Sequence, residues 1–294
     1  MSNFRLPVNL VESSRRFDLP GRDWIEDLPS IVADLSERWS LQVGEPFQPG
    51  GQGSWVAPAR DSTGRDVVLK VGWWHTEALH EVAGLELWAG GGTVLVHRSE
   101  AYDQTSALLL ERCFPGTTLD QIVSPDEQDV IVTGLLRRLW RAALPDDSAF
   151  RPLATMCDEW AVEFEEKLAA APASVDPGLA TAGMELFREL PRTAPAEVLL
   201  CTDLHAQNIL SAQREPWLVI DPKPYVGDPT YDALQHMMNR DQWLVDDPLA
   251  FVRRMSGLLE LDAGRLRLWL FARCVQESID KPALGEVAAR IAPA

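Results

Sequence analysis

The sequence predicts an α+β fold in which a small antiparallel sheet with one main helix precedes a larger, mainly helical domain. Short runs rich in valine and tryptophan, separated by turn residues, occupy the chain from residue 41 to residue 112. Beyond the break at Pro115 and Gly116, apolar side chains recur at helical spacing over most of the chain. A chain of 294 residues is long enough for two modest domains. We therefore expect an N-terminal domain over residues 1–111 and a C-terminal domain over residues 112–294.

The N-terminal domain is predicted to begin with a helix over residues 24–39, where apolar side chains lie at helical spacing. Strand-like runs bounded by turn residues follow this helix, and they cover residues 41–48, 54–60, 67–71, 93–100 and 106–112. After the third run, residues 75–90 carry apolar side chains on one helical face and end in glycines. This order predicts a small antiparallel sheet with a helix inserted after its third strand.

The C-terminal domain is predicted to be helical over residues 126–144, 156–170 and 177–190, with prolines in the connections. Between residues 198 and 228 the pattern becomes compact and strand-like. Two short apolar runs, 209–210 and 217–220, are separated there by a polar turn. Helices resume after Tyr231, so the candidate chemistry is confined to this short strand-rich segment.

The composition disfavours several classes of partner. Lys and Arg total 27 against 44 Asp and Glu, and the net charge of −17 repels nucleic acid and anionic membranes but attracts a cationic small molecule. No apolar stretch is long enough to cross a bilayer, and the first residues do not resemble a secretion signal, so we expect a cytoplasmic protein. The four cysteines lie far apart and predict buried thiols rather than disulfides or a zinc site. No heptad run is present, and a monomer is the default expectation.

The strongest chemical signal is the segment from Asp203 to Asn208, followed by Asp221 after a second apolar run. Phosphoryl transfer needs a carboxylate that orients and deprotonates the attacking hydroxyl, and oxygen ligands that hold Mg²⁺ against nucleotide phosphates. Asp203 and Asn208 have the spacing of a kinase catalytic loop, and a hairpin would return the chain so that Asp221 joins them. Each side chain taken alone also fits a turn or capping role.

Segment 198–232, VLLCTDLHAQNILSAQREPWLVIDPKPYVGDPTYD, resembles the aminoglycoside phosphotransferase superfamily, and within it the streptomycin 6-kinase and hydroxyurea phosphotransferase branch. That branch typically carries D-L-H-x-x-N-I/V-L, then E-P-W-L-x-I-D-P-K/E-P, then G-D-P-x-x-D, and this chain matches all three motifs. The resemblance is looser but collinear from about residue 20 to residue 280. It implies a protein-kinase-like two-lobed fold and a kinase that uses ATP and Mg²⁺.

The resemblance also implies roles for individual residues. Asp203 is the catalytic carboxylate, and Asn208 and Asp221 hold the metal. Lys70 on the third strand contacts the ATP phosphates, and its acidic partner is Glu81 or, as second choice, Glu77. The remaining nucleotide contacts are assigned to the glycine-rich loop, which lets backbone N–H groups approach phosphate, and to the connection between the lobes; these residues are Gly51, Gly53, Ser54 and Glu111.

Other positions in the segment are expected to support the site. Asp228 is expected to bond to the backbone of the catalytic loop, and Asp232 to cap the next helix. Lys223 either faces the γ-phosphate or balances nearby carboxylates. Cys201 stands where the family usually has His, which leaves the loop geometry in question, and no thiolate-activating motif surrounds it. Acidic side chains of the C-terminal helices are candidate contacts for a cationic acceptor; these are Asp241, Asp246, Asp247, Glu277 and Asp280.

The acceptor is expected to be a streptomycin-like aminoglycoside, which would make the protein an antibiotic-resistance kinase. A kinase of a sugar, a cyclitol, hydroxyurea or another small metabolite stays open, because the motifs serve ATP and metal rather than the acceptor. A nucleotide-binding protein without turnover is a further alternative, raised by Cys201. A protein kinase is disfavoured, since Gly227 follows Asp221 by only six residues and leaves no room for an activation segment.

Overall fold

The computed structural model describes residues 4–16, 21–73, 80–102, 104–171 and 175–293. It divides into two compact units, one formed by residues 1–116 with 212–218 and the other by residues 117–211 with 219–294. The predicted α+β class is confirmed, because the first unit carries a five-stranded sheet and the second is mostly helical. The predicted boundary between residues 111 and 112 stays a prediction. Within the described ranges, no helix has both the length and the apolar character needed to span a membrane.

The first unit is built on an antiparallel sheet with the strand order β1-β2-β3-β5-β4. Its strands are β1 (Gln42–Val43), β2 (Ser54–Arg60), β3 (Asp66–Trp73), β4 (Val96–Tyr102) and β5 (Thr105–Glu111). Its helices are α1 (Val8–Arg16), α2 (Gly21–Arg38) and α3 (Glu81–Trp88). Residues 74–79, which include the start of the predicted helix over residues 75–90 and Glu77, lie outside the described residues.

The core of the first unit follows from the period-two alternation of its strands. Leu69 and Val71 of β3 are fully buried and pack with Leu28 and Leu35 of α2. Each such side chain removed from water contributes about 1.5–3 kcal/mol. Lys70 lies between the two buried β3 residues in the sequence, so the same alternation places it on the opposite face of the sheet.

Two features of the first unit differ from the sequence-based expectation. β1 covers only two residues instead of residues 41–48. The Gly44 and Phe47 N–H groups still donate to β2 carbonyls, but Pro46 between them has no N–H with which to continue the ladder. In addition, α1 precedes the predicted first helix and is not predicted from the sequence. The periodicity of α1 is short, and its contacts are made with a distant part of the chain, which local pattern does not reveal.

The second unit contains nine α-helices in its described residues. The chain also forms two short two-stranded sheets. The helices are α4 (Leu119–Ile122), α5 (Pro125–Leu139), α6 (Leu153–Ala170), α7 (Pro177–Glu189), α8 (Leu234–Met238), α9 (Asp241–Asp246), α10 (Pro248–Leu259), α11 (Ala263–Glu277) and α12 (Pro282–Ile291). β6 (Val198–Leu200) pairs with β9 (Tyr225–Gly227), and β7 (Ile209–Ser211) with β8 (Trp217–Val219). Side-chain caps mark several helix starts; Asp176, Asp247 and Asp262 begin α7, α10 and α11 in this way.

Candidate active site

The antiparallel pair β6–β9 sets the geometry of the loop that contains Asp203. Because the two strands pair at Leu200 and Tyr225, the chain leaving β6 runs beside the chain entering β9. The Lys223 N–H donates to the Cys201 carbonyl at 2.9 Å, and the Thr202 hydroxyl donates to the Lys223 carbonyl at 2.5 Å. These bonds extend the pairing beyond the strands and hold the backbone on both sides of Asp203.

Asp203 lies between two nitrogen-bearing side chains. Its Oδ2 is 3.2 Å from the Lys223 Nζ, and its Oδ1 is 4.0 Å from the His205 Nε2. His205 Nδ1 accepts a hydrogen bond from the Gln207 N–H, so the neutral ring carries its proton on Nε2, toward the carboxylate. Burial lowers the pKa of His205, which favours this neutral form. Asp203 itself keeps 17% of its side chain exposed and is accessible to a ligand.

Asn208 and Asp221 are brought to the same place by the hairpin β7–β8. The Asn208 side-chain N–H donates to the Asp203 carbonyl at 3.0 Å, which turns the amide oxygen away from the loop backbone. The Ile220 N–H donates to the Asn208 carbonyl at 2.9 Å, and Asp221 follows directly. The chain segments that carry Asp203, Asn208 and Asp221 are therefore adjacent, and the meeting of their side-chain oxygens around a metal stays a prediction.

The donor set around this point suits a hard cation. A carboxylate and an amide oxygen are ligands of the kind that Mg²⁺ takes, together with water and phosphate oxygens. In the part of the chain that the structure describes, no three His, Cys, Asp or Glu side chains form a metal cluster. An ion at this point would therefore need the amide of Asn208 and oxygens supplied by a bound ligand as well as Asp221.

Asp232 anchors the loop, which corrects the expectation that it caps the next helix. It is fully buried, and it accepts from the backbone N–H groups of Cys201 at 3.0 Å and Thr202 at 2.6 Å. It also accepts from the Trp140 indole at 2.9 Å. Burial raises the pKa of Asp232 to about 6, against the effect of its three N–H donors. The carboxylate fixes the two peptide units that precede Asp203.

Asp228 has the capping role instead, so the expectation that it bonds to the catalytic loop is wrong. Its Oδ1 accepts from the Thr230 N–H at 2.9 Å at the start of a short 3₁₀ helix. Its Oδ2 accepts from Arg265 and from the Trp269 indole, both at 2.6 Å. Asp228 thus ties the segment after β9 to α11, away from the catalytic loop.

Cys201 is a neutral buried thiol. Its side chain has no exposed surface, and burial raises the pKa of Cys201 well above its usual value. Its N–H bonds to Asp232, and its carbonyl accepts from the N–H groups of Asp203 and Lys223. The loop is therefore held by backbone bonds at this position, without the histidine side chain that the family usually places there.

In the first unit, Lys70 and Glu81 form a buried ion pair. The Lys70 Nζ lies 2.7 and 2.8 Å from the two Glu81 oxygens, and the residues are 8% and 5% exposed. The predicted first-choice partner is therefore in contact with the lysine. The glycine-rich loop precedes β2: Gly51 and Gly53 are exposed, and Ser54 is the first residue of the strand.

Glu111 is held through its side chain. Arg214 donates to the two Glu111 oxygens at 2.9 and 2.8 Å, and the Leu95 N–H donates to one of them at 3.0 Å. Arg214 also donates to the carbonyls of Gly90 and Thr93. Because the Glu111 N–H also donates to the Leu95 carbonyl at 2.8 Å, a nucleotide contact at Glu111 would come from its backbone carbonyl. A single arginine in a hairpin turn carries no sequence signal that would have revealed this anchor.

The acidic residues predicted to contact the acceptor are mostly paired within the chain. Glu277 binds Arg273 at 2.6 Å and Lys281 at 2.7 Å, and Asp280 binds Lys167 at 2.7 Å. Asp247 is the N-cap of α10, and Asp246 accepts from Gln242. The side chain of Asp241 lies outside the described residues.

The chain is similar in sequence to a family of antibiotic resistance kinases. The family model described as "Aminoglycoside/hydroxyurea antibiotic resistance kinase" matches residues 38–281. A streptomycin 6-kinase from Streptomyces griseus is 34% identical over 292 residues, covering 94% of this chain and 91% of the relative. A hydroxyurea phosphotransferase from Kitasatospora aureofaciens is 32% identical over 293 residues, covering 96% and 82%.

Solved structures support the two-lobed kinase-like fold. A choline/ethanolamine kinase family protein from Mesorhizobium loti has a TM-score of 0.58 at 16% identity, covering 90% of this chain and 93% of that one. An aminoglycoside-3'-phosphotransferase of type VIII has a TM-score of 0.52 at 19% identity, covering 87% and 97%. At these identities the likeness concerns the fold.

Proposed function

Because this chain belongs to the aminoglycoside/hydroxyurea antibiotic resistance kinase family, and is therefore a small-molecule kinase, we propose that it phosphorylates a hydroxyl group of a streptomycin-like aminoglycoside. ATP is the proposed donor and Asp203 the catalytic carboxylate. The observation that carries the proposal is that hydrogen bonds hold the Asp203, Asn208 and Ile220–Asp221 segments side by side, with Lys223 next to the Asp203 carboxylate.

Asp203 is proposed to orient the acceptor hydroxyl and to take its proton as the new P–O bond forms. A carboxylate in this position acts mainly by placing the oxygen in line with the γ-phosphorus. Lys223, 3.2 Å away, holds the Asp203 carboxylate in one orientation. The Nε2–H of His205 faces the other oxygen and favours the same orientation.

Asn208 and Asp221 are proposed to hold Mg²⁺, and their hard oxygen donors fit that ion. When bound, Mg²⁺ neutralises charge on the nucleotide phosphates during transfer. The hydrogen bond from Asn208 to the Asp203 carbonyl couples the position of this amide to that of the catalytic loop. Removal of divalent ions with EDTA is expected to abolish transfer, and added Mg²⁺ to restore it.

Lys70, Gly51, Gly53 and Ser54 are proposed to contact the ATP phosphates. The ion pair with Glu81 fixes the direction of the Lys70 ammonium group. The exposed glycines leave backbone N–H groups accessible to phosphate. The backbone at Glu111 is proposed to contact adenine. The assignment of these groups to one nucleotide rests on family membership.

The acceptor is proposed to be cationic, in keeping with the net charge of −17. Asp241, Glu277 and Asp280 remain proposed contacts, and a guanidino or amino group would there replace the exposed partners Lys281 and Lys167. Hydroxyurea is the second candidate, because a phosphotransferase of that compound is 32% identical. We further propose that the protein acts as a cytoplasmic monomer.

An ADP-release assay with streptomycin, other aminoglycosides, hydroxyurea, cyclitols and sugars tests the proposal. The Asp203→Asn protein should lose about 10²- to 10⁴-fold in kcat with its best acceptor, while its affinity for ATP stays close to that of the unmodified protein. Asp146→Asn, the same change at an exposed loop position, is the matched control. Equal turnover by the Asp203→Asn protein would remove the catalytic assignment, and no turnover of any aminoglycoside would remove the antibiotic as acceptor.

A further inference from the structure

The chain before α1 and the first turn of that helix lie against the glycine-rich loop. We propose that residues 4–10, the N-terminal strap, position the glycine-rich loop (residues 48–53) for nucleotide binding, with Asn9 as the positioning residue. This proposal rests on the proposed function of the loop in ATP binding. It adds to that function a residue, Asn9, that is remote from the loop in the sequence.

The strap is joined to the loop by hydrogen bonds in both directions. The Asn9 side-chain N–H donates to the Gly50 carbonyl at 2.8 Å, and the Asn9 backbone N–H donates to the Pro49 carbonyl at 3.1 Å. The Val8 N–H donates to the Gln48 Oε1 at 3.1 Å, and the Gln48 side chain donates back to the Leu6 carbonyl at 3.3 Å. Three consecutive loop residues, 48 to 50, are thus bonded to the strap.

The strap is itself fixed to the sheet, so it can hold the loop. The Phe4 ring stacks on Trp55 at a centroid distance of 5.4 Å and an angle of 19°. The Trp55 indole donates to the Arg5 carbonyl at 3.0 Å, and Trp55 is 2% exposed as part of β2. The hydrogen bonds between the strap and the loop therefore connect the loop to the rigid sheet and limit its movement.

Both the backbone conformation at position 50 and the close approach of the strap require glycine there. Its φ of +77° favours glycine, and a Cβ at this position would lie 2.5 Å from the Cβ of Pro7 in the strap. The absence of a side chain lets the two backbones approach closely enough for the bond from Asn9. The loop and the strap are therefore fitted to each other.

The far end of the loop borders a small cavity and is held by a backbone bond to β3. The cavity, of about 30 Å³, is lined by Leu10 of α1 and Trp24 of α2 together with Gln52 and Gly53. At its other end the loop is held by the Trp73 N–H, which donates to the Gly53 carbonyl at 3.1 Å. Fixing both ends lowers the conformational entropy that nucleotide binding must remove from the residues between them.

Two substitutions at Asn9 and one control test this inference in the full chain. Asn9→Ala removes the donor to Gly50, and Asn9→Asp replaces it with an oxygen that repels the carbonyl. Thr181→Ala is the control, because the exposed Thr181 hydroxyl bonds to the Pro177 carbonyl inside α7 and makes no bond to the loop. Amide hydrogen exchange of residues 48–53 is measured without nucleotide, and KM for ATP, KM for the acceptor and kcat are measured with it.

Both Asn9 variants should show faster exchange at residues 48–53 and a KM for ATP raised about three- to tenfold, the effect of one lost hydrogen bond. The acceptor KM and kcat should stay within about twofold, and Thr181→Ala should match the unmodified protein. Unchanged amide hydrogen exchange of residues 48–53 in the Asn9→Ala protein would overturn the proposal that the strap positions the loop. Faster exchange with an unchanged KM for ATP would overturn its role in nucleotide binding. Turnover retained by the Asp203→Asn protein would instead overturn the proposed chemistry, independently of the strap.

Discussion

Replacing Asp232 by Asn should destabilise the protein more at pH 5 than at pH 7. Asp232 is fully buried and accepts from three N–H donors, those of Cys201, Thr202 and the Trp140 indole. An amide of the same shape offers one oxygen to these donors and turns its own N–H₂ toward at least one of them. The substitution therefore leaves a buried donor unpaired, which costs about 1–3 kcal/mol at any pH.

The pH dependence comes from the carboxylate of the unmodified protein. Burial raises the pKa of Asp232 from 3.8 to about 6, so the folded state binds its proton more tightly than the unfolded state. A raised pKa contributes stability that is complete below pH 4 and is lost as the pH rises through 6. A tenfold change in proton affinity corresponds to about 1.4 kcal/mol, so the free energy of unfolding falls by about 3 kcal/mol over the whole titration of Asp232. About 1 kcal/mol of this decrease occurs between pH 5 and pH 7. The Asp232→Asn protein lacks this titration. The difference in unfolding free energy between it and the unmodified protein is therefore about 1 kcal/mol smaller at pH 7 than at pH 5.

Urea unfolding followed by tryptophan fluorescence at pH 5, 6 and 7 measures the difference between the two proteins, with the other titrating groups common to both. Trp140→Phe is the informative control, because it removes a donor that favours the ionised carboxylate. Its deficit should therefore grow as the pH rises, opposite to that of Asp232→Asn. A deficit of Asp232→Asn that stays constant or grows toward pH 7 would refute the assignment of a destabilised buried carboxylate.

Three further predictions concern other contacts in the protein. Lys70→Met should leave Glu81 charged and buried, at a cost of about 3–5 kcal/mol; adding Glu81→Gln should recover most of the unfolding free energy in denaturation but not the activity. Lys223→Met should lower kcat about ten- to a hundredfold, because Asp203 loses the cation 3.2 Å away, whereas Lys223→Arg should retain most of it in the ADP-release assay. Gly183→Ala would place a Cβ 2.6 Å from side-chain atoms of α11 and should cost about 1–3 kcal/mol in urea unfolding, with KM values unchanged.

The sequence predicts those parts of the site that depend on the order of strands and helices along the chain and on the motifs between them. Asp203, Asn208 and Asp221 are expected to meet because a hairpin must return the chain, and the structure places the segments that carry them side by side. The pairing of Lys70 with Glu81 is expected only from the resemblance to kinases, and the two side chains are in contact.

The parts that the sequence does not reveal depend on tertiary packing. Asp228 and Asp232 lie four residues apart in one turn, and which of them faces the loop is decided by how that turn packs against Trp140 and α11. The anchor at Arg214 and the strap at Asn9 join residues more than 40 positions apart. No local pattern in the sequence encodes such contacts.

The backbone around Asp203 carries strain that the rest of the described chain avoids. Among the described residues, five other than glycine have positive φ, and three of them, Ser40, Ala89 and Glu260, follow the ends of helices, where a left-handed residue is ordinary. The other two are Thr202 and Asp221, which end no helix and belong to the site. A β-branched residue with positive φ is costly and persists only where its surroundings over-determine it. The bonds of Asp232 to the Cys201 and Thr202 N–H groups supply that constraint. A buried carboxylate with a raised pKa is thus retained because it stabilises a strained loop, and that loop sets the direction of Asp203.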